Sequence, residues 1–397
     1  MNKEELDKLL DAMVQYADGI SDLFFIAGRP MQVETQGELQ PFIHELSGSE
    51  LTSERIESLA NVIINNNQRL LADLKEHGSC DCGYTLKNSC RFRVNIYYQN
   101  GRNYTMVMRH LKPLIPTFDA LNLGPTFREI IKEINGIIFV TGGTGMGKTP
   151  TIAAMLNEIT KTRNIHILTL EDPIEFVLTP IKSTFSQREL GTDFFSFQKG
   201  MRAAMREAPK IIFIGEIRDR ETMEIVLNAG ETGHLVFSTL HTTSAAMTVN
   251  RIIGMFGSDE EGQIRERLAG SMRYVISQRL VPTCSGGRLL VTEMMGSSLR
   301  TREAILLGEN ESRRLEEIIE AGSPYGWHSF EQSLFKAYEQ ELITDETALL
   351  YCTNKMKMLQ RIDANPIHKS KKSADSTSPL ADLKMSEVEK LRNKSKR

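Results

Sequence analysis

A glycine-rich string between an apolar segment and a helical one has the most definite chemistry in this sequence. Residues 142–149 match G-x-x-x-x-G-K-[ST] at every position, after an apolar run and before a helical pattern. In such a loop the backbone N–H groups surround phosphate oxygens, the lysine adds positive charge and the threonine hydroxyl binds Mg²⁺. The alternative, a glycine turn without a ligand, leaves this context unexplained. The predicted nucleotide-binding residues are Gly142, Gly143, Thr144, Gly145, Met146, Gly147, Lys148 and Thr149.

Carboxylates follow two further apolar runs. Glu171, Asp172 and Glu175 come just after one run, and Glu216 ends another, residues 211–215. Carboxylates at strand ends beside a phosphate-binding loop can orient Mg²⁺ or polarise the attacking water, and Glu216 is the best placed for both tasks. The alternative is that these acids are solvated surface residues.

Histidines and arginines supply further candidates. His234 opens a fourth apolar run and His241 follows its end, so they are either packed structural groups or sensors of the terminal phosphate. Arg91, Arg93 and Arg109 occupy alternating positions of segments near the N-terminus. One of them could neutralise the transferred phosphoryl group if that part of the chain leans over a nucleotide site, its own or a neighbour's. Otherwise they are outward-facing arginines on a half-solvated sheet.

The N-terminal cysteines are predicted to be buried thiols. Cys80, Cys82 and Cys90 follow His77, but their spacing differs from common zinc sites and contains no C-x-x-C pair. Because Cys80 and Cys82 share one face of a predicted strand, core packing is favoured over a metal site.

These side chains need elements to position them, and residues 1–112 predict a small α+β domain. Strands are expected at residues 23–26 and 91–98, with a hairpin partner at 104–108. Residues 52–74 are expected to form one helix with an apolar face.

Proline residues then mark a linker, residues 113–126, before an α/β core at 127–255. Short, continuously apolar strands alternating with helices predict a sheet covered on both faces. These strands are expected at residues 136–141, 165–170, 210–215 and 234–239.

From about residue 255 the strands are expected to stop, leaving a helical part at residues 256–363. Amphipathic helices are predicted at residues 264–278, 302–307, 315–321 and 330–342. The final segment, 364–397, carries nine Lys/Arg against four Asp/Glu and is expected to be a disordered basic tail that solvates the chain or touches anionic lipid or a partner.

Composition limits the class of protein. The formal charge of −3 argues against a body that grips nucleic acid. No apolar stretch is long enough to span a membrane, the first residues lack a signal-peptide layout, and five cysteines fit a reducing cytosol. A chain of 397 residues predicts two or three domains.

Several long motifs in order make the chain resemble the PilT/PilU group of type IV pilus retraction ATPases, in the secretion-ATPase superfamily. The matching strings lie at residues 91–95, 142–149, 168–176, 187–189, 215–219 and 231–245. The resemblance extends to about residue 363 and implies a PAS-like N-terminal domain, a RecA-like ATPase domain, ATP with Mg²⁺, and a ring-shaped homohexamer.

The resemblance also implies roles for individual residues and partners. Hydrolysis would act through an inner-membrane platform protein to withdraw pilin subunits, with a paralogous retraction ATPase as a possible further partner. The protein would then be cytoplasmic, bound peripherally at the inner face of the membrane. The implied catalytic set is Glu171 and Glu175 with Asp172, Glu216 in the Mg²⁺ shell, His234, His241, Arg93 and Arg109.

The sequence also departs from the family pattern. Met146 and Pro150 replace small hydroxyl residues of the phosphate-binding loop, and the retraction motif is blurred at residues 299–309, which favours a PilU-like paralogue. One alternative is therefore a mainly non-catalytic subunit that docks on another retraction ATPase. Another is an assembly or secretion ATPase, although the paired C-x-x-C zinc loop of those proteins is missing.

Overall fold

The computed structural model describes residues 2–35, 37–45, 50–86, 90–111 and 114–364. The predicted basic tail therefore lies outside the described residues, apart from its first position, and so does the first residue of the predicted linker.

The described residues form two sheets and a set of covering helices. The strands are β1 (Ile20–Ile26), β2 (Gln32–Thr35), β3 (Glu38–Pro41), β4 (Ser79–Thr85), β5 (Arg91–Gln99), β6 (Asn103–Leu111), β7 (Gly136–Thr141), β8 (His166–Glu171), β9 (Thr184–Glu189), β10 (Ile211–Ile214), β11 (Leu235–Leu240), β12 (Met272–Pro282) and β13 (Arg288–Gly296). The helices are α1 (Lys3–Val14), α2 (Ser53–Ile64), α3 (Gln68–His77), α4 (Pro125–Ile130), α5 (Lys148–Thr162), α6 (Phe197–Ala204), α7 (Arg220–Glu231), α8 (Ala245–Ile253), α9 (Glu261–Ser271), α10 (Leu299–Leu307), α11 (Leu315–Ala321), α12 (Phe330–Glu339), α13 (Asp345–Tyr351) and α14 (Lys355–Ala364), with a short 3-10 helix at Ser323–Tyr325.

The N-terminal sheet is antiparallel, in the order β3-β2-β1-β6-β5-β4, and α1 to α3 cover one face. Along β5, the buried residues Phe92 and Val94 alternate with Arg91 and Arg93. The apolar set joins a core with the three helices, so the arginines must lie on the opposite face. The predicted strands and the β5–β6 hairpin are present.

The single helix predicted over residues 52–74 is wrong, because α2 and α3 are separate. Asn65 and Asn66 adopt left-handed backbone angles, with φ of 46° and 57°. The side chain of Asn67 then caps α3 by accepting from the N–H groups of Arg69 and Leu70. Asparagine tolerates both conformations, whereas apolar periodicity runs across such a break without a signal.

The second sheet has the order β13-β12-β7-β11-β10-β8-β9. All of its strands run parallel except the edge strand β13, which is antiparallel to β12. Strands β7, β10 and β11 are buried at every position. Apolar cores cover both faces of this sheet. The predicted α/β core with four continuously apolar strands is confirmed.

The strands do not stop near residue 255, and the helix predicted at 264–278 is wrong over its second half. Helix α9 ends at Ser271 and the chain continues directly into β12, which pairs with β7 and β13. A short apolar run fits a helix or a buried strand equally well by periodicity, and pairing with β7 decides the outcome. The helices predicted further along are present as α10, α11 and α12. Helix α10 packs on α9, and α11 and α12 pack on β13.

The predicted linker is irregular over residues 114–124, and Pro125 already occupies the first turn of α4. Proline suits that position because its missing N–H has no intrahelical partner there. In the part of the chain that the structure describes, no helix is both long and apolar enough to cross a membrane.

Candidate active site

The phosphate-binding loop joins the end of β7 to the start of α5. Gly142, Gly145 and Gly147 have φ of 145°, 76° and 83°, which side chains disfavour. A Cβ at Gly142 would lie 2.7 Å from the carbonyl oxygen of Gln278 on β12. No side chain caps the first turn of α5, so its N–H groups point into the loop, where they can bind phosphate oxygens.

Lys148 lies over this loop. Its half-buried ammonium group donates to the carbonyl oxygens of Gly142 at 2.8 Å and Gly143 at 3.0 Å. Burial lowers the pKa of Lys148, whereas the negative charges of Glu216 and Glu175 favour its protonated form. Both carboxylates therefore face the lysine that would neutralise phosphate.

The two unusual residues of the loop fit the fold. Pro150 is the third residue of α5, where its N–H would have no intrahelical partner. The sulfur of Met146 accepts from the N–H of Leu280 at 3.4 Å, so this side chain packs against β12. Neither substitution disrupts the strand–loop–helix geometry.

Glu216 lies two residues beyond β10, between two basic side chains. His241 Nε2 lies 3.3 Å from its Oε2, and Arg218 forms an ion pair with its other oxygen. Arg218 also approaches Asp172 at 3.7 Å. Burial would raise the pKa of Glu216, but the hydrogen bonds and charges of Arg218 and His241 hold it below its usual value.

Glu171 ends β8 in a very different environment. It is 5% exposed, accepts from Thr169 Oγ1 at 2.6 Å and from Gln187 Nε2 at 3.1 Å. Burial is the main reason that its pKa rises to about 7, against the effect of these hydrogen bonds. Glu171 and Thr149 line the same small cavity of about 10 Å³. Both residues thus border one small apolar cavity, and the pKa of the Glu171 carboxyl group lies near neutral pH.

The arginine-bearing face of the N-terminal sheet turns toward these acids. Asp22, Arg109 and Arg93 are aligned across β1, β6 and β5. Arg109 Nε binds Asp22 at 2.9 Å, while Arg93 Nε is 3.9 Å from Asp81, and both arginines remain more than half exposed. Burial raises the pKa of Asp172, and the positive charge of Arg93 is among those that act against this rise. Arg93 is therefore close to the acidic loop after β8.

The structure does not bring every predicted residue together. His234 precedes β11, and His241 follows it, so a six-residue strand separates them by about 20 Å. His234 Nδ1 contacts the carbonyl oxygen of Ala229 at 3.3 Å instead. Arg91 is bound to Glu189 rather than open to the nucleotide site. The predicted thiols Cys80 and Cys82 lie in β4 as free cysteines, and burial raises the pKa of the two groups to about 11 and about 12.

Sequence reasoning missed three residues that organise the site. Arg218 pairs with Glu216, Gln187 holds Glu171, and Gln278 donates to Thr151 Oγ1 at 2.8 Å. Gln187 and Arg218 belong to the family-matching strings at residues 187–189 and 215–219, and this membership could have identified them as site residues. Gln278 lies in a strand that periodicity had assigned to a helix.

This arrangement suits hydrolysis of a nucleoside triphosphate. The loop amides and Lys148 can bind the phosphates, and the oxygen donors of Thr149 and Glu216 are of the type that Mg²⁺ prefers. Glu171, titrating near neutral pH, can accept a proton from water. Fold and site together define a RecA-like P-loop ATPase.

Comparison with known proteins narrows this class. The profile of the family described as "Type II/IV secretion system protein" matches residues 84–376. The chain is 36% identical over 330 residues to the type IV pilus retraction ATPase PilT of Pseudomonas aeruginosa, covering 83% of this chain and 93% of that protein. It is 34% identical over 349 residues to the type IV pilus ATPase PilU of the same organism, covering 87% and 88%. The crystal structure of the pilus retraction motor PilT with bound ADP superposes with a TM-score of 0.78 at 34% identity, covering 91% of this chain and 99% of that one.

The chain belongs to the type II/IV secretion ATPase family, in its PilT/PilU group of pilus retraction ATPases, and is an ATP-hydrolysing enzyme. The predicted family, fold class and activity are confirmed. The similar identities to PilT and PilU do not separate the two, so the PilU-like character remains a prediction.

Proposed function

We propose that this protein is a Mg²⁺-dependent motor that works as a homohexamer and drives retraction of type IV pili. The observation that carries the proposal is similarity over nearly the whole length of a retraction ATPase, in a chain whose phosphate-binding lysine lies near Glu216 and Glu175. In this arrangement residues 1–112 form the N-terminal domain, 113–126 the linker, 127–255 the ATPase core and 256–363 its largely helical continuation.

We assign the catalytic roles to residues near the phosphate-binding loop. Lys148 would bind the phosphates, and Thr149 with Glu216 would hold Mg²⁺, which would neutralise negative charge on the phosphate oxygens. Glu171 takes the proton of the attacking water, because its pKa near 7 lets it be a base at neutral pH and still bind the proton. His241 orients Glu216 from 3.3 Å.

The remaining family residues have supporting roles. Glu175 lies near enough to influence the pKa of both Lys148 and Glu171. Arg93 and Arg109 approach the nucleotide from the N-terminal sheet and neutralise the charge of the transferred group. His234 lies at the start of β11, at the opposite end of this strand from His241. This location favours a structural role within one subunit or a contact with the next subunit of the ring.

The cellular setting is proposed from the relatives. The hexamer would dock on an inner-membrane platform protein and associate peripherally with the cytoplasmic face of the membrane. ATP hydrolysis would then move the platform so that pilin subunits leave the fibre.

A second candidate function is an accessory retraction subunit that docks on a paralogous ATPase and turns over little ATP itself. The observations that favour it are Met146 and Pro150 in the loop and the unusual segment at residues 299–309. In this segment Leu299 and Leu307 are exposed, which suits an interface.

Measuring pilus retraction in cells distinguishes the two proposed functions. The gene is replaced in its own host by the Glu216→Gln variant, and surface pili and twitching are compared with wild type and with a deletion strain. The motor proposal expects the variant to match the deletion, with excess pili and no twitching. Wild-type twitching by the variant would support the accessory function instead, while normal twitching in the deletion strain would contradict both.

A further inference from the structure

A buried ion pair joins the N-terminal sheet to the loop that carries the active-site acids. Arg91 of β5 binds the carboxylate of Glu189, the last residue of β9. The Nε group of Arg91 also donates to the carbonyl oxygen of Ile174 at 2.8 Å. Glu189 in turn accepts from the N–H of Ile174 at 3.0 Å and from the N–H of Gly83 at 3.2 Å. Two residues thus connect β4, β5, β9 and the loop after β8.

Arg91 and Glu189 are largely buried, whereas the other arginines on the same face of the sheet are exposed. The side chains of Arg91 and Glu189 are 15% and 7% exposed, whereas Arg93 is 51% exposed. Removing one partner of a buried ion pair leaves an uncompensated charge, which is far more costly than losing a surface pair. Replacing Arg91 or Glu189 alone is therefore expected to weaken the junction between the two sheets.

The packing around the pair is specific. A Cβ at Gly83 would lie 2.6 Å from Glu189 Oε1 and 2.8 Å from Arg91 Nη2, so a side chain there would displace one member of the pair. Each nitrogen of the Arg91 guanidinium has a partner, with Nη1 donating to Thr85 Oγ1 at 3.0 Å. All three guanidinium nitrogens of Arg91 are used at this junction, so Arg91 is not available to bind the phosphates of the nucleotide.

The same loop is held again on the other side of Glu175. Gln187, two residues before Glu189 on β9, donates to the carbonyl oxygen of Phe176 at 2.9 Å and accepts from the N–H of Leu178 at 2.7 Å. Gln187 also donates to the carboxylate of Glu171. Glu175 therefore lies between two anchors, and the one at Ile174 depends on a side chain from the N-terminal sheet.

We propose that Arg91 and Glu189 are positioning residues that lock the N-terminal sheet onto the acidic loop and so hold Glu171 and Glu175 in place for hydrolysis. The inference rests on the catalytic roles proposed above for these carboxylates. It makes the position of the N-terminal sheet a determinant of turnover, through the backbone of Ile174 rather than through a contact with nucleotide.

Steady-state ATP hydrolysis tests the kinetic part of this inference with the full-length protein. Arg91→Met and Glu189→Gln should each lower kcat by about 10- to 100-fold, the effect of displacing a catalytic group by ~1 Å, with KM for ATP almost unchanged. Arg91→Lys should recover part of kcat because it keeps the charge but not the bond to Ile174. The double variant should be no slower than the slower single variant, because the two residues act as one unit.

The matched control is Arg267→Met, which breaks an arginine pair between α7 and α9. Arg267 is 17% exposed, close to Arg91, and binds Glu231, which is 35% exposed, at 2.9 Å. This variant should leave kcat near wild type. Wild-type kcat in Arg91→Met, the same loss in Arg267→Met, or additive losses in the double variant would each overturn the inference.

Hydrogen exchange tests the lock without relying on activity. In Arg91→Met, amide exchange should accelerate in both segments, residues 80–86 and 172–178, while Arg267→Met leaves both protected. Unchanged exchange in either segment would overturn the lock. If the wild-type protein hydrolyses no ATP, the proposed motor fails, and exchange alone then decides whether the two sheets are joined in this way.

Discussion

At the residue scale, the site contains two carboxylates whose surroundings push their pKa values apart. Burial raises the pKa of Glu171 to about 7, whereas Arg218 and His241 keep that of Glu216 low despite its partial burial. Such a divergence separates a group that exchanges protons from one that stays ionised. Glu171 is thereby suited to accept a proton and Glu216 to remain a charged ligand.

The pH dependence of turnover should report Glu171. A general base must be ionised to accept a proton, so kcat/KM should rise with pH. The midpoint of this rise should be at pH of about 7, the value to which burial raises the pKa of Glu171. Glu171→Gln should abolish turnover while ATP still binds. An acidic limb with its midpoint near the ordinary glutamate value would show that Glu171 is not the base.

The raised pKa of Glu171 also predicts how the stability of the protein changes with pH. Its pKa is raised from 4.5 to about 7, so the folded state holds the proton more tightly than the unfolded chain. Stability from this group is complete below the unfolded value and is lost as pH rises through the folded value. The Tm of Glu171→Gln relative to wild type should therefore increase across that window, and a pH-independent difference would contradict the assignment.

Two neighbouring glycines offer a test of the loop geometry. Gly142→Ala places a Cβ 2.7 Å from a backbone oxygen at a φ of 145°, whereas the nearest atom to a Cβ at Gly143 is the Met146 Cγ at 3.7 Å. Strain of about 1–3 kcal/mol is expected at the first position. Thermal unfolding should show a lower Tm for Gly142→Ala than for Gly143→Ala. Equal Tm values would mean that the loop adapts to a side chain at either position.

At the scale of elements, the strands that lead into the phosphate-binding loop and the predicted acids were predictable, whereas β9 and β12, which support them, were not. Continuous apolar runs located β7, β8, β10 and β11, because a strand buried on both faces has few alternatives. Strand β12 follows α9 without a turn residue, and its assignment depends on pairing with β7. The bracing residue Gln278 was therefore missed together with its strand.

The division between α2 and α3 has a similar cause. Two left-handed asparagines, Asn65 and Asn66, separate helices whose apolar faces continue in phase. The run of three asparagines was the available signal, since asparagine favours both left-handed turns and helix caps. The spacing of apolar residues shows that both helices pack on the same core, but it does not show where one helix ends and the next begins.

The cap of α7 gives a prediction at this scale. Asp219 follows the Glu216 motif and accepts from the N–H of Thr222 at 2.7 Å, which begins the helix beside the active site. Asp219→Ala should destabilise the protein by about 1 kcal/mol, while Asp219→Asn keeps an acceptor and should be close to wild type. Thermal unfolding of the two variants provides the comparison. Equal losses of Tm would indicate that charge, rather than capping, is what Asp219 contributes.

At the scale of the whole molecule, the active site lies where the arginine-bearing face of one sheet meets the strand ends of the other. Sequence alternation predicted the arginines, and the resemblance implied that Arg93 and Arg109 face ATP. Neither predicted that Arg91 would be bound to Glu189, because that pairing joins strands 98 residues apart in the chain. Contacts of this kind depend on how the two sheets dock, which no local pattern records.

The most direct test of the motor is steady-state hydrolysis of Mg-ATP by the purified protein and by Glu216→Gln, with oligomer mass measured on the same samples. The motor hypothesis predicts turnover by a wild-type hexamer, and no turnover by a Glu216→Gln hexamer that still binds ATP. Wild-type hexamers that bind ATP but hydrolyse it no faster than Glu216→Gln would contradict it.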